Sequence, residues 1–235
     1  NLGDLERHAR DFAERKGFRE GDRVFVILTS GSLSISQSVV SLLRVDFDAG
    51  RGLAKAASLY EAARIVGECV RRVSDIDRAA LERDSFDFNV TLLLGGQVLG
   101  EEPGLYLIYP QGNPLKATAD SPYLQLGECK YGRPILDRGI DTDTSLEIAA
   151  KYALLSFDAT IRSNVTVGPP IDLLLYERDS LAITRSRRLA AFDADLQLIH
   201  ASWEQALRRA VEQLPEIRFE PSAARPTPDS PAAPS

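Results

Sequence analysis

The chain has 235 residues, 44% of them hydrophobic, and a formal net charge of −6. It contains no apolar run near the roughly 20 residues of a membrane span, and its charged start lacks a signal-peptide core, so we expect a cytoplasmic protein that does not bind membranes. The acidic balance argues against a nucleic-acid partner. Cys69 and Cys129 have neither zinc-binding nor disulfide spacing, and we predict no metal and no cofactor.

The first third of the chain combines predicted helices with one buried strand. Residues 2–19 have a weak helical pattern, and the continuous apolar run Val24–Thr29 predicts a central strand. Ser30-Gly31-Ser32 interrupts this strand, and helical spacing resumes over residues 33–43. An alanine-rich pattern over residues 53–73 predicts a second, longer helix.

The middle of the chain is typical of an antiparallel meander. Between residues 88 and 127, short apolar runs alternate with Gly-Gly-Gln, Glu-Glu-Pro-Gly and Pro-Gln-Gly-Asn turns. Helical spacing then returns over residues 148–161, and strands are predicted at 171–176 and 181–184.

The end of the chain predicts one more helix and a tail. Asp193 is the expected N-cap of a helix whose apolar stripe runs from Leu196 to Leu214. Residues 220–235 are rich in proline, alanine and serine and are expected to be disordered. We therefore predict a single domain over residues 1–219.

This order of elements favours an α+β fold with helices outside antiparallel sheets. The strands at residues 24–29, 89–94 and 173–176 have patterns of burial on both faces, which favours a four-layer αββα sandwich. Periodicity alone leaves a three-layer α+β fold open.

A polar cluster is predicted at the C-terminal end of the helix over residues 148–161. Asp158, Arg162, Ser163 and Asn164 gather there before Pro169-Pro170, which forbids a longer helix. A carboxylate, a guanidinium, a hydroxyl and a carboxamide on one rigid element can form either a catalytic site or a structural clamp.

Other hydrolase classes fit the sequence poorly. The chain has only two histidines, His8 in a charged segment and His200 within the last predicted helix. It has no Gly-x-Ser-x-Gly motif and no Walker loop.

Five segments, in order from about Gly21 to Tyr176, carry a family resemblance: LTSGSLSISQSVV, FNVTLLLGGQ, LYLIYPQGNPLKAT, LQLGECKYGRPILDR and FDATIRSNVTVGPPIDLLLY. They resemble the bacterial proteasome-type proteases called Anbu, the ancestral beta subunit, which are N-terminal nucleophile hydrolases. The resemblance implies a threonine whose own α-amino group activates its hydroxyl. Asn1 has no hydroxyl or thiol, so we expect the native polypeptide to begin upstream of Asn1 with that threonine.

The resemblance also implies roles for residues early in the chain. Lys16 is the candidate for the family lysine beneath the threonine, although an ordinary surface lysine is an equal alternative. Gly31 corresponds to the glycine whose N–H helps to bind the oxyanion, with Thr29 and Ser30 beside it as substrate contacts. The alternative for Gly31 is a simple strand-to-helix turn.

Further roles fall on residues later in the chain. Asp158 and Ser163 resemble the pair that holds the N-terminal amine, and Thr160 is an alternative to Ser163. Glu128 either orients the amine or pairs with Lys130 or Arg162. Cys129 is expected to be a packing residue, since no histidine lies near it in sequence.

The sequence thus predicts a threonine-type peptidase or amidohydrolase that acts on peptide or other amide bonds. We expect it to self-associate into a ring or an open ring or spiral; no unfoldase partner can be identified. Two alternatives remain: a non-catalytic proteasome-fold assembly subunit, and an amidase for a small peptide-like substrate.

Overall fold

The structure, a computed structural model, describes residues 17–219, which form an α+β fold with two antiparallel sheets. The larger sheet is a meander in which sequence order equals spatial order. Its strands are β1 (Gly17–Glu20), β2 (Arg23–Gly31), β3 (Val90–Val98), β4 (Gly104–Ile108) and β5 (Pro114–Lys116). The predicted α+β class and the meander are therefore confirmed.

Five α-helices and a second sheet complete the described part of the chain. In order they are α1 (Leu33–Asp48), α2 (Leu59–Arg83), α3 (Arg133–Gly139), α4 (Leu146–Ser163), β6 (Ile171–Leu175), β7 (Arg185–Leu189) and α5 (Ala194–Glu212). A 3₁₀ turn, Gly52–Lys55, lies between α1 and α2. None of the helices among residues 17–219 is both long and apolar enough to cross a membrane.

The main core lies between the larger sheet and helices α1 and α2. Ile27 pairs with Leu94 across β2 and β3, and both side chains are fully buried. Val39 of α1 and Val66 of α2 are also fully buried in this cluster. Burying a side chain of this size stabilises the fold by about 1.5–3 kcal/mol, so this core fixes the position of β2 and of the turn that follows it.

A smaller core lies beneath the second sheet. Leu154 of α4, Ile171 of β6 and Leu189 of β7 are buried together, and Leu196 and Ile199 of α5 pack at its edge. Farther along the predicted stripe, Leu207 of α5 and Leu214, just beyond the end of this helix, remain exposed. That stripe is therefore only partly covered.

A buried carboxamide joins the two halves of the fold. Gln97 of β3 is fully buried, and its Nε2 donates to the Glu101 carbonyl at 2.7 Å and to Asp179 Oδ1 at 2.6 Å. Its Oε1 accepts from the Tyr176 hydroxyl and from the Asp179 N–H. All four hydrogen-bonding positions of the amide are thus used.

Three details of the predicted element boundaries were wrong. Residues 17–19 belong to strand β1 rather than to a helix, and Phe18 is fully buried opposite Phe25. The last strand begins at Arg185, because Asp179 and Leu181 have positive φ angles of 62° and 45° and the chain turns there. The second helix begins only at Leu59, where the Ser58 hydroxyl accepts from the Glu61 N–H.

Several helix boundaries followed the predictions. Asp193 caps α5 by accepting from the N–H groups of Asp195 and Leu196, and Asn164 ends α4. Helix α3 was not predicted. Lys16, His8 and the predicted tail at residues 220–235 lie outside the described residues.

Candidate active site

The turn after β2 requires glycine at position 31. Gly31 has a φ of 102°, and a Cβ added there would lie 2.4 Å from the Asn89 carbonyl oxygen. The same oxygen accepts a hydrogen bond from the Ser32 N–H at 2.8 Å, which ties the turn to the start of β3. Gly31 is therefore fixed by structure as well as being a candidate for function.

A cavity of about 370 Å³ opens beside this turn. Its lining comes from the end of β2, the start of β3, the end of β4 and the loop over residues 125–129. The residues that matter below are Ser30, Gly31, Asn89, Gln125, Gly127 and Cys129. All ten lining residues are uncharged, so the cavity is a neutral, partly polar space.

The loop over residues 125–129 lies close to the end of β2. A Cβ added at Gly127, whose φ is 71°, would lie 3.3 Å from Ser30 Oγ. Gln125 reaches towards α4, with its Nε2 3.5 Å from Ser156 Oγ. Its Oε1 is buried and has no hydrogen-bond partner in the described part of the chain.

Glu128 lies between two cavity-lining residues and connects the loop to α4. Its Oε1 accepts from the Lys130 N–H at 2.8 Å, and its Oε2 accepts from Asn164 Nδ2 at 3.2 Å. Of the two partners expected for Glu128, the structure gives the main chain of Lys130. Arg162 binds Glu204 instead.

Asp158 contacts helix α5 and does not line the cavity. Its Oδ1 lies 2.6 Å from His200 Nδ1, so the ring N–H donates to the carboxylate. The other ring nitrogen is 3.7 Å from Glu204 Oε1. This chain of contacts fits the structural clamp that the sequence left open.

The remaining predicted residues are spread around the turn. Ser163 is the last residue of α4 and is exposed, whereas Thr160 is buried and its hydroxyl donates to the Ser156 carbonyl at 2.8 Å. Thr29 pairs with Leu92 within the sheet and does not line the cavity. The structure therefore places Ser30, Gly31 and the Glu128 loop together, and Asp158 and Ser163 apart from the cavity.

Lys16 itself is not described, but its neighbour is informative. Gly17 begins strand β1, so the segment after Lys16 is extended and not helical as predicted.

Cys129 lines the cavity, but its surroundings oppose ionisation of its thiol. Burial raises the pKa of its thiol above the usual value, and Glu128 adds to this effect, while Arg133 acts in the opposite direction. Its Sγ lies 3.5 Å from the Gly127 carbonyl oxygen. A raised thiol pKa leaves little thiolate at neutral pH, which agrees with a packing role.

Two features of the site were not found from the sequence. The partner of Asn164 is Glu128, 36 residues earlier in the chain, and no local pattern links them. No sequence pattern singles out Gln125, because only the three-dimensional arrangement leaves its side-chain oxygen without a hydrogen-bond partner among the described residues. No group of three or more potential metal ligands lies within residues 17–219.

Comparison with solved structures gives consistent matches over most of the chain. The chain is 44% identical to the Anbu (Gly-1) mutant from Hyphomicrobium sp. strain MC1, with a TM-score of 0.81 over 86% of this chain and 85% of that chain. It is 41% identical to Anbu (ancestral beta-subunit) from Yersinia bercovieri, with a TM-score of 0.80 over 88% and 87%.

A third match comes from an assembled protein. The chain is 44% identical to the protein in the helical assembly of the Anbu complex from Pseudomonas aeruginosa, with a TM-score of 0.80 over 90% of this chain and 88% of that chain. No protein-family model matches the chain, and neither does any curated protein.

Proposed function

Because the chain belongs to the Anbu (ancestral beta subunit) family of proteasome-like hydrolases, we propose that it is an N-terminal threonine peptidase or amidohydrolase. Its substrate is a peptide or a related amide. The observation that carries the proposal is the position of Gly31, which lines the cavity at the end of β2 with the small Ser30 beside it.

A glycine at this position suits an oxyanion site. Without a side chain at position 31, a substrate carbonyl can approach the main chain closely. The neutral lining leaves developing negative charge without a fixed positive side chain in the cavity, so backbone N–H donors would carry the stabilisation. The Gly31 N–H is the proposed donor.

The proposed reaction proceeds in two steps. The threonine hydroxyl, deprotonated by the threonine's own amine, attacks the amide carbon and forms a C–O bond. The tetrahedral intermediate collapses as the C–N bond breaks, and the ammonium returns the proton to the leaving amine. Water, deprotonated by the same amine, then hydrolyses the ester and regenerates the threonine.

The chain's own residues would hold the amine during this cycle. Lys16 would lower the proton affinity of its neighbours, and Glu128 lies next to the cavity, where a carboxylate can accept from an ammonium group. Asp158 and Ser163 remain candidates for the same task. For Asp158 the contact with His200 supports the competing role of a clamp between α4 and α5.

The proposed fold of the complete protein is the four-layer αββα sandwich. In this arrangement the five-stranded sheet, covered by α1 and α2, faces the second sheet, covered by α4 and α5. The buried Gln97 network, which joins β3 to the segment after β6, supports two sheets held in a fixed relation.

We also propose self-association into a ring, open ring or spiral. The related protein from Pseudomonas aeruginosa forms a helical assembly. Leu33 of α1, Tyr60 of α2 and Leu207 of α5 are exposed apolar side chains that neighbouring subunits could cover. Val39 and Leu43 of α1 are buried in the core and are therefore not part of such a surface. Light scattering on the full-length protein should show a species of many subunits, whereas a monomer would contradict this proposal.

The two alternative functions predict different experimental results. A non-catalytic assembly subunit would form the same oligomer without turnover. A specialised amidase would cleave only small peptide-like amides, and the modest volume of the cavity is compatible with such a substrate.

The test of the proposed function is hydrolysis of a panel of peptide amides by the full-length protein. Intact-mass analysis should find an N-terminal threonine upstream of Asn1, and exchange of that threonine for alanine should abolish turnover while the circular dichroism spectrum stays unchanged. A mature N-terminus other than Thr, Ser or Cys, or full turnover by the alanine variant, would overturn the mechanism.

A further inference from the structure

The side-chain amide of Asn164 is held in one orientation. Its Oδ1 accepts from the Thr166 N–H at 3.0 Å and from the Thr166 hydroxyl at 2.7 Å. Only the oxygen of an amide can accept the main-chain N–H, so the amide nitrogen must point the other way. Asn164 therefore presents a donor, and not an acceptor, to its second partner.

That second partner is Glu128. The Asn164 amide nitrogen donates to Oε2 at 3.2 Å, and the Lys130 N–H donates to Oε1 at 2.8 Å. Each carboxylate oxygen thus has its own donor, and the two donors come from separate segments of the chain. The carboxylate cannot rotate without losing one of these bonds.

The pair lies where the cavity loop meets the end of α4. Gly127 and Cys129, on either side of Glu128, both line the cavity. Glu128 and Asn164 are each partly buried, so bulk water competes only partly for their hydrogen bond. A carboxylate offers about four lone-pair positions, and two remain for another donor.

We propose that Asn164 is a positioning residue, which holds the Glu128 carboxylate beside the cavity as the acceptor for the reacting amine. This inference rests on the proposed function. It assigns the task at the end of α4 to Asn164 acting through Glu128, a role that the sequence cluster had given to Asp158 and Ser163.

Two substitutions at Asn164 distinguish a positioning role from a purely structural one. Asn164→Ala removes the donor, and Asn164→Asp also places a second carboxylate against Glu128. If the role is positioning, kcat should fall about tenfold for the alanine variant and about a hundredfold for the aspartate variant, with KM within about twofold. A structural tie would lower the melting temperature and leave kcat of the folded protein unchanged.

A polarity exchange gives the sharper comparison. In the double variant Glu128→Gln with Asn164→Asp, the donor and the acceptor change places, so the hydrogen bond and the melting temperature should recover. The carboxylate then stands at position 164 instead of 128, so kcat should remain at least tenfold below wild type. Recovery of both quantities together would overturn the positioning role.

The experiment uses the full-length protein, with Asn113→Ala as the control because Asn113 is an exposed asparagine elsewhere in the structure. An activity-independent readout is the NMR signal of the Asn164 side-chain NH₂ group, which should move on Glu128→Ala but not on Glu102→Ala. No movement would overturn the inference. If Glu128→Gln loses turnover and Asn164→Ala does not, the positioning role of Asn164 is overturned and the proposed function stands. If the wild-type protein hydrolyses no amide, both the proposed function and the positioning role are overturned.

Discussion

The close approach at Gly31 makes a quantitative prediction about Gly31→Ala. A Cβ there would lie 2.4 Å from the Asn89 carbonyl oxygen and 3.2 Å from the Val90 Cα, both main-chain atoms that cannot rotate away. The start of β3 must therefore move, which breaks the Ser32 N–H bond to Asn89. The positive φ adds a separate penalty for any residue with a Cβ.

These effects can be added approximately. The left-handed conformation costs about 1–2 kcal/mol, and loss of the hydrogen bond costs about 0.5–1.5 kcal/mol. We therefore expect Gly31→Ala to lower the free energy of unfolding by about 1.5–3.5 kcal/mol. For a chain of this size, that loss of stability corresponds to a fall in Tm of about 3–14 °C.

A matched control isolates the close approach. Gly100 also has a positive φ, 86°, but a Cβ added there meets no atom within 4 Å. Gly100→Ala should therefore cost only the penalty of the left-handed conformation, about 1–2 kcal/mol. Both variants are compared by urea unfolding of the full-length protein. Equal losses for the two variants would refute the claim that Asn89 holds the turn against Gly31.

The remaining predictions concern four other residues. Asp158→Asn should lower turnover about a hundredfold if the carboxylate acts on the amine; near wild-type turnover by the folded variant would leave it the clamp to His200. Cys129→Ser should keep turnover within about twofold, and iodoacetamide should modify Cys129 slowly at pH 7 because burial raises its thiol pKa; rapid alkylation would contradict the packing role. Gln97→Leu should lower the free energy of unfolding by about 2–4 kcal/mol in urea, since four hydrogen bonds are lost; a change under about 0.5 kcal/mol would argue against that network. Burial opposes ionisation of Asp193, but hydrogen bonds from Arg187 and main-chain N–H groups lower the pKa of its carboxyl group. Its stabilising effect on the fold should therefore be present above about pH 4 and be lost as the pH falls below that value. Wild type and Asp193→Ala should converge in unfolding free energy at low pH, and a difference that stays constant with pH would contradict the capping role.

Local patterns in the sequence were sufficient for most of the fold. Helical spacing located α1 and α4, and Gly-rich turns located the strands of the meander, because these signals depend on neighbours within a few residues. The pattern failed at β7, whose sequence RSRRL has no alternation of apolar residues and whose first three side chains are exposed. An edge strand with so little burial leaves almost no hydrophobic signal.

The candidate site could be predicted only in part. The polar cluster at the end of α4 was visible because its members are close in sequence. Their partners are not: Asp158 meets His200 42 residues later, and Asn164 meets Glu128 36 residues earlier. Which partner each member of the cluster meets depends on the direction in which α4 packs, and spacing along the helix does not specify that direction.

The central claim is that an N-terminal threonine performs the chemistry. The most direct measurement is treatment of the full-length protein with a peptide epoxyketone, which needs an amine and a hydroxyl on one residue to form its cyclic adduct, followed by mass mapping of the modified peptide. We predict a single adduct on an N-terminal threonine upstream of Asn1, and a lower yield with Gly31→Ala. An unmodified protein, or an adduct on an internal residue such as Cys129, would contradict the account.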